Sequence, residues 1–246
     1  MKAHTKARNA EDKAERRAEL LRAAAALFDT VPYAKITMAE VAERAGLSKG
    51  TVYLYFESKE ELFLALLEDL LFAWYDAFDR RIDAARGELS ADELLRIFAE
   101  VSLGQGPTLS RLIAIVSGVL EHNVGFEAAA SYKRRLWTQM TRTGAKLEAR
   151  GPYFRPGEGF QFLGHLALFI VGARQLADLA PMIVRVIDEF DLKGFRFDFD
   201  SELYALVQNH LRGLENRPDV ARSATTTAKR RARRGSAGGT GRRDRA

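Results

Sequence analysis

Apolar residues recur at intervals of three and four along almost the whole chain, which is the spacing of one face of an α-helix. The first helix is expected from Glu11 to about Asp29, and Pro32 ends it. The same spacing predicts further helices over 37–45, 48–56, 58–85, 90–103, 108–122, 126–150, 157–179 and 201–215. Residues 181–200 are less regular and predict a short helix and an ordered loop. Because no repeated Val/Ile-rich strand pattern occurs, the predicted fold class is all-α.

The composition narrows the kinds of site that the chain can hold. Of its 246 residues, 47% are hydrophobic and none is cysteine, which excludes disulfides, thiolate zinc sites and cysteine nucleophiles. The first residues lack the apolar stretch of a secretory signal. The most apolar run, residues 160–173, is shorter than the roughly 20 residues that cross a membrane, so we interpret it as a buried core helix. We therefore expect a cytoplasmic protein with no membrane partner.

The net charge of +5 is unevenly distributed along the chain. Residues 217–246 hold ten Lys or Arg against Asp219 and Asp244, a net charge of +8, which leaves −3 for residues 1–216. Ala, Thr, Gly, Ser and Arg dominate this last segment and offer little to bury, so we predict a disordered basic tail over 217–246. Its charge favours nonspecific affinity for nucleic acid through counterion release.

One stretch, residues 36–56, has the pattern of a helix, a short turn and a second helix. Thr37 is a good N-cap for the first helix, and Glu40 three residues later completes a capping box. Gly46 stands where a helix ends in a left-handed conformation that glycine adopts at little cost. Ser48 then caps the second helix.

The second helix of this motif has two different faces. Val52 and Phe56 lie together and point inward, whereas Gly50, Thr51 and Leu54 point away from them. With its flanks, the outward face consists of Lys49, Gly50, Thr51, Tyr53, Leu54 and Tyr55. A cation, hydroxyls, phenols and an apolar side chain together suit the major groove of DNA, where thymine methyl groups alternate with base acceptors.

The pattern A-G-L-S-K-G-T-V-Y-x-Y-F-x-S-K-E-E-L-F at 45–63 resembles the DNA-binding region of the TetR (tetracycline repressor-like) family. The resemblance covers roughly residues 15–70, and the later helices match the family only in number and length. It implies a three-helix, helix-turn-helix DNA-binding domain over 11–60, preceded by a flexible arm over 1–10. A larger helical ligand-binding and dimerisation domain is expected over 61–216.

The resemblance also implies roles for single residues. Those expected to approach bases are Lys49, Gly50, Thr51 and Tyr53, with Leu54 nearby. Those expected to hold phosphates are Thr37, Ser48, Tyr55 and Lys59. A helix N-terminus disfavours a cation, and a phosphate partner would account for Lys59 in such a position. Ala39 stands where some relatives have a base-reading arginine, so that contact is expected to be missing.

Candidates for binding a small molecule are polar residues within otherwise apolar helices. They are Gln105, Arg111, His122, Asn123, Trp137, Gln139, His165, Arg174 and Gln175. In the family the last two long helices form a four-helix dimer interface, and 157–179 and 201–215 resemble them. The candidate dimer contacts are Leu163, Leu166, Ile170, Gly172, Leu176, Leu203, Leu206 and Leu211. The alternative is that these residues belong to the core of a single chain.

No pattern indicates an enzyme or a metal site. The four histidines, His4, His122, His165 and His210, lie on separate segments without a paired i, i+4 arrangement. The chain has no Gly-rich phosphate loop, nucleophile elbow or zinc-protease motif. We therefore expect no catalytic residue, no metal and no cofactor.

The sequence as a whole predicts a sequence-specific DNA-binding transcriptional regulator. We expect a homodimeric repressor on a pseudo-palindromic operator whose half-sites lie about 34–36 Å apart or a multiple of it. An unidentified small molecule bound to the helical domain would release it from DNA. Two alternatives stay open. One is a nonspecific DNA-binding protein driven by the basic tail, and the other is an all-α ligand-binding or interaction module without specific DNA readout.

Overall fold

The computed structural model describes residues 2–217, and these residues form α-helices joined by turns and short 3₁₀ helices. The α-helices are α1 (Lys2–Phe28), α2 (Met38–Arg44), α3 (Lys49–Val52), α4 (Lys59–Ala84), α5 (Ala91–Ser102), α6 (Thr108–Val116), α7 (Phe126–Arg150), α8 (Glu158–Ala177), α9 (Pro181–Glu189) and α10 (Phe199–Glu215). The 3₁₀ helices are Tyr33–Lys35, Leu120–His122 and Lys193–Phe195. No β-strand occurs between residues 2 and 217, in agreement with the predicted all-α fold class.

The first three helices and the start of α4 share one apolar core. Its fully buried members include Leu20, Ala24, Val41, Val52, Leu62 and Phe63. Phe63 is central, because the rings of Phe28 and Tyr33 contact it at centroid distances of 5.5 and 5.1 Å. Full burial of such side chains stabilises a fold by about 1.5–3 kcal/mol each. Apolar packing therefore sets the position of α3 relative to α1 and α4.

A second core lies among α4, α5, α7, α8 and α10. Its fully buried members include Phe78, Ile82, Leu94, Phe98, Leu147, Phe162 and Val207. The 26 residues of α4, about 39 Å of helix, contribute to both cores. Leu62 to Leu67 pack into the first core and Tyr75 to Ile82 into the second, with Leu71 in contact with both. One continuous helix therefore joins the two parts of the molecule.

The backbones of α7 and α8 approach each other at a pair of glycines. A Cβ atom on Gly159 would lie 2.2 Å from the carbonyl oxygen of Gly144, and one on Gly144 would lie 2.7 Å from the amide nitrogen of Phe160. Real Cβ atoms do not come so close to backbone, so this crossing requires glycine on both helices.

A buried carboxylate joins α4 to α7 beside this crossing. Asp79 accepts a hydrogen bond of 2.7 Å from the Thr143 hydroxyl, and both residues are buried. Its other oxygen lies 3.1 Å from the Arg142 guanidinium and 3.6 Å from the Lys146 ammonium. The buried charge is thus paired and hydrogen-bonded, as the cost of burying an ion requires.

Three helix boundaries differ from the sequence-based expectations. α1 begins at Lys2 rather than near Glu11, so the predicted flexible arm over 1–10 is helical from Lys2. Its Ala, Lys and Arg residues are strong helix formers, which outweigh the scattered polar residues. α3 ends at Val52 instead of reaching Phe56. The helix expected over 108–122 breaks after Val116 and resumes as a 3₁₀ turn.

The helix α8 is longer and less buried than its apolar run suggested. It has 20 residues, its most apolar window has a mean hydropathy of 1.2, and only 22% of that window is buried. Length and composition alone would therefore let it cross a membrane. That is weak evidence, because α8 packs Phe162, Leu163 and Leu166 into the second core. The expected core helix is buried on one side only, and the absence of a membrane partner stays a prediction.

Candidate functional site

The helix-turn-helix has the local geometry that its sequence predicted. The amide of Glu40 donates to the Thr37 hydroxyl at 3.3 Å, and the Thr37 amide donates to the Glu40 carboxylate at 2.8 Å. These bonds form the capping box. The Thr37 hydroxyl also donates to the Glu40 carboxylate at 2.8 Å, and this bond, with the one from the Thr37 amide, lowers the pKa of Glu40. After α2, Gly46 has a φ of +68°, the left-handed conformation expected of it. The amide of Leu47 then donates back to Ala42 at 2.9 Å and closes the turn.

The second helix of the motif is short and continues as a turn. Ser48 caps α3 by accepting from the Thr51 amide at 3.2 Å. Beyond Val52 the chain is held by bonds from Leu54 to Thr51 at 3.1 Å and from Phe56 to Val52 at 3.0 Å. Val52 and Phe56 are buried as predicted, which anchors the segment.

The outward face of this segment is presented to solvent. Lys49 and Gly50 are exposed, Tyr53 is 48% exposed and Leu54 is 76% exposed. An apolar side chain as exposed as Leu54, beside a phenol and a cation, has no partner in the described chain and suits an external surface with methyl groups. Thr51 is half-buried, and its hydroxyl lies 2.8 Å from that of Ser48.

Besides the capping residues Thr37 and Ser48, the other two predicted phosphate ligands also have partners within the fold. Tyr55 is half-buried and its ring packs against the first core. The Lys59 ammonium donates to the carbonyl oxygens of Tyr33 at 3.1 Å and Ile36 at 3.0 Å, and lies 4.2 Å from the centre of the Tyr33 ring. These carbonyls, rather than a phosphate, account for a lysine at the start of α4. The phosphate role expected for Lys59 stays a prediction.

Several contacts join the helix-turn-helix unit to the rest of the molecule. The Ser58 hydroxyl donates to the Asn123 carbonyl at 3.3 Å, and the Thr108 hydroxyl donates to Asp29. Arg135 of α7 pairs with Glu68 of α4 at 2.5 Å. The start of α6 and the segment around Asn123 therefore contact the DNA-binding unit at two places, just after α1 and just before α4.

A cavity of about 260 Å³ lies between α4, α5, α6, α7 and α8. Its lining is mainly apolar and aromatic, with Leu71, Trp74, Tyr75, Phe98, Ile113, Tyr132, Met140, Leu166, Ile170 and Phe199 among it. The few polar groups at this chamber include Ser102, Ser110, Ser117 and the Glu121–Lys133 ion pair. Burial raises the pKa of Tyr75 and of Tyr132, so both phenols stay neutral.

Of the nine candidate ligand residues, Gln105 alone lines this chamber. Arg111, Arg174 and Gln175 line a separate groove, and His122 and Asn123 are exposed near the helix-turn-helix unit. Trp137 is 64% exposed and contacts Phe160, while Gln139 donates to Thr143 at 3.1 Å. His165 lies 3.1 Å from His210. These eight do not form one site, because each polar group is drawn to its own partner or to water.

The chamber residues that sequence reasoning missed are aromatic. Trp74, Tyr75, Phe98 and Tyr132 stand on the apolar faces of their helices. Periodicity finds such faces, but it does not distinguish a cavity wall from a filled core.

The leucine and isoleucine residues among the candidate dimer contacts fall into three groups. Leu163, Leu166, Leu203 and Leu211 are at most 4% exposed and belong to the second core, so the expectation that they contact a partner was wrong. Ile170 is half-buried and lines the chamber. Leu176 and Leu206, at 54% and 39%, are exposed.

A different apolar surface on the same two helices is open to solvent. We define the α8–α10 face as Leu168, Leu176 and Leu206, with the glycines Gly164, Gly172 and Gly213. Leu168 is 68% exposed, and a Cβ atom on any of the three glycines would meet nothing within 4 Å. Packing within the chain therefore does not explain these small residues.

Comparison with known proteins places most of the described chain in one family. A model described as bacterial regulatory proteins of the tetR family matches residues 20–66, and one described as a tetracyclin repressor-like C-terminal domain matches residues 68–218. The chain belongs to the TetR family. This assignment confirms the resemblance seen at 45–63 and extends it over the later helices. The two models meet within α4, so the expected boundary at 60–61 stays a prediction.

Individual TetR-family relatives match over shorter stretches. The uncharacterized HTH-type transcriptional regulator YfiR of Bacillus subtilis is 45% identical over 58 residues, 24% of this chain and 28% of that protein. The HTH-type transcriptional regulator TtgR of Pseudomonas putida is 33% identical over 103 residues, 39% of this chain and 47% of that protein. The chain therefore spans about half or less of these relatives.

A solved structure supports the fold over a larger span. The fatty acid degradation regulator FadR from Bacillus halodurans aligns with a TM-score of 0.53 at 18% identity, covering 82% of this chain and 97% of that one. At this identity the match shows a TetR-like fold alone.

Proposed function

We propose that the chain is a homodimeric, sequence-specific DNA-binding regulator in the cytoplasm, acting as a repressor that a small molecule releases. The observation that carries the proposal is the outward face of α3 and its turn. Lys49, Gly50, Tyr53 and Leu54 are exposed there on a segment anchored by buried Val52 and Phe56. No catalytic or cofactor chemistry forms part of the proposal.

The proposed contacts divide by the chemistry that each residue offers. Lys49, Gly50, Thr51 and Tyr53 approach base edges, with Leu54 against a thymine methyl group. The hydroxyls of Thr37, Ser48 and Tyr55 hold phosphates, which fix register without reading sequence. The Ser48 and Thr51 hydroxyls already bond to each other, so a phosphate at Ser48 would share that network.

Two copies are proposed to associate through the α8–α10 face. Its exposed Leu168 and Leu176 would be covered, and its open glycines would let helices of the partner approach closely. Association places two helix-turn-helix units at a fixed separation, as a palindromic operator with half-sites one or more helical turns apart requires.

The chamber is proposed to hold a small, largely apolar molecule with one or two hydrogen-bonding groups. Its volume of about 260 Å³ is near the lower end for ligand sites. Leu71 and Trp74 line it from α4, the helix whose start belongs to the DNA-binding core. A ligand that prefers a different tilt of α4 would shift the population away from the DNA-bound spacing.

Selection from random duplex DNA by the full chain tests the DNA-binding proposal. We expect one enriched pseudo-palindrome, and about tenfold or greater loss of affinity for it in Lys49→Ala and in Tyr53→Ala, since a good base contact contributes about 1–3 kcal/mol. Lys193→Ala and Phe126→Ala remove an exposed cation and an exposed ring elsewhere and should bind normally. If the protein is folded and the selection enriches no motif, the proposal is overturned. The selected site upstream of a reporter then shows whether binding represses transcription.

A further inference from the structure

A second and larger concavity, about 850 Å³, lies where the DNA-binding unit meets the helical body. One wall is the end of α1 and the loop after it, residues 28–33. The other walls are α6, the end of α8 and the segment around Val184 and Phe197. Because Arg111, Arg174 and Arg196 line it, we call it the arginine groove. The proposed apolar chamber lies on the other side of α6 and has no part in the inference.

The arginine groove holds three arginines, two of which share a carboxylate. Arg111 and Arg174 share one carboxylate, Asp178, at 3.2 and 3.3 Å. Arg196 pairs with Asp188 at 2.5 Å, and Asp29 is the other acidic residue of the lining. An anion placed between Arg111 and Arg174 would reduce the repulsion between the two guanidinium groups, which Asp178 and, at Arg174, Asp200 already offset in part.

Arg174 is preorganised for such a contact. Its Nε donates to the Ser110 hydroxyl at 2.9 Å, and its guanidinium lies 3.6 Å from the centre of the Phe199 ring. Its side chain is 12% exposed, so little further entropy is lost on binding. Its Nη2, and both Nη atoms of Arg111, make no hydrogen bond to the described part of the chain. Guanidinium donors of this kind bind carboxylate, sulfonate or phosphate groups well.

The remaining lining is suited to an apolar group. It includes Val31, Ile115, Leu179, Val184 and Phe197. A fully hydrated inorganic ion would gain nothing from these side chains, whereas an organic anion would bury hydrocarbon against them. We propose that the arginine groove binds an organic anion with an apolar body, its anionic group held by Arg111 and Arg174. Such an occupant contacts the end of α1 and the helical body together.

Two related fluorescent probes test this proposal on the full chain. Anilinonaphthalene sulfonate carries an anionic group on an aromatic body, and N-phenyl-1-naphthylamine has the same body without the charge. We expect saturable sulfonate binding that Arg111→Gln weakens by about tenfold, the effect of losing one charge-assisted hydrogen-bonded contact. Arg80→Gln, an exposed arginine of α4 with the same change of charge, should bind like the unsubstituted chain.

The neutral probe separates the groove from other apolar sites, the chamber included. Its affinity should be the same in Arg111→Gln and in the unsubstituted chain, and only the sulfonate should lose affinity as salt is raised from about 0.05 to 0.5 M. Matching circular-dichroism melts establish that the variant is folded. Equal sulfonate affinity in Arg111→Gln, parallel loss of both probes, or no saturable sulfonate binding would each overturn the proposal. None of these readouts depends on DNA binding.

Discussion

The crossing of α7 and α8 allows the fold to be tested with one added methyl group. In Gly159→Ala that group would lie 2.2 Å from the carbonyl oxygen of Gly144 and 2.8 Å from its carbonyl carbon. Carbon and oxygen approach without strain to about 3.3 Å, so the helices must separate locally by about 1 Å. Backbone atoms cannot turn away as the end of a side chain can, and the separation therefore loosens the packing of α8 on the second core.

The expected cost follows from two opposing effects. Overpacking of a well-filled core costs about 1–3 kcal/mol and sometimes more. Alanine is a better helix former than glycine by about 1 kcal/mol, but that gain is small in the first turn of α8, where Gly159 lies. We expect a net destabilisation of about 2–3 kcal/mol. For a chain of this size the melting temperature should fall by about 4–12 °C.

Urea unfolding followed by circular dichroism measures this change, at equal protein concentrations because association raises apparent stability. Gly194→Ala is the matched control, since its Cβ would meet nothing within 4 Å, and its effect should stay within about 0.5 kcal/mol. Gly144→Ala should also destabilise the fold. The Gly144→Ala, Gly159→Ala double variant should lose less free energy of unfolding than the two single variants added together, because one local separation of the helices relieves both overlaps. A Gly159→Ala protein as stable as the unsubstituted chain would refute the reasoning.

Three further predictions concern stability, association and pH. Asp79→Asn should lower the free energy of unfolding by about 2–3 kcal/mol, because the charge-assisted bonds from Thr143, Arg142 and Lys146 weaken, whereas Thr143→Val should cost about 1 kcal/mol. Urea titrations compare the two, and equal losses would contradict a role for the charge. Leu168→Glu should give monomers in sedimentation velocity, because it places a charge on the α8–α10 face, while Phe126→Glu should leave the mass unchanged. A dimeric Leu168→Glu protein would exclude that face. The Arg217 guanidinium lowers the pKa of Glu158 from 4.5 to about 2. The ion pair between them therefore stabilises the fold fully above about pH 4.5, and this stabilisation is lost as the pH falls toward 2. Urea midpoints taken from about pH 6 to 3 should therefore decline less in Arg217→Gln, and parallel declines would count against the pair.

The parts of the structure predictable from sequence are those that local chemistry decides. Thr37 with Glu40, Gly46 and Ser48 each satisfy backbone groups or backbone angles within a few residues of themselves. Their spacing is therefore sufficient to locate the turn. The inward pair Val52 and Phe56 follows equally from helical periodicity, although α3 itself is shorter than that periodicity suggested.

The features that the sequence does not predict depend on tertiary contacts between segments that are far apart in the chain. Leucines lie all around α8, and a helical wheel cannot say which of them face the same chain. In the structure Leu163 and Leu166 fill the core, while Leu168 and Leu176 are exposed. Lys59 shows the same difficulty, because its carbonyl partners at Tyr33 and Ile36 are more than 20 residues away in sequence. Pairings over such distances leave no periodic signal.

The two proposed ligand sites bear on the DNA-binding unit through different elements. The chamber reaches that unit through α4, because Leu71 lines the cavity and also packs on the first core. The arginine groove reaches it through the end of α1, which forms one of the groove's own walls. Phe63 of α4 packs against the ring of Phe28, at the end of α1, and against the ring of Tyr33, in the 3₁₀ helix that follows. A close-packed cluster of this kind does not deform gradually, so a displacement of either helix moves the unit as a body. Ligands bound at the two sites would therefore both change the orientation of α3 relative to the helical body. Each would then change the affinity of the other by the same factor.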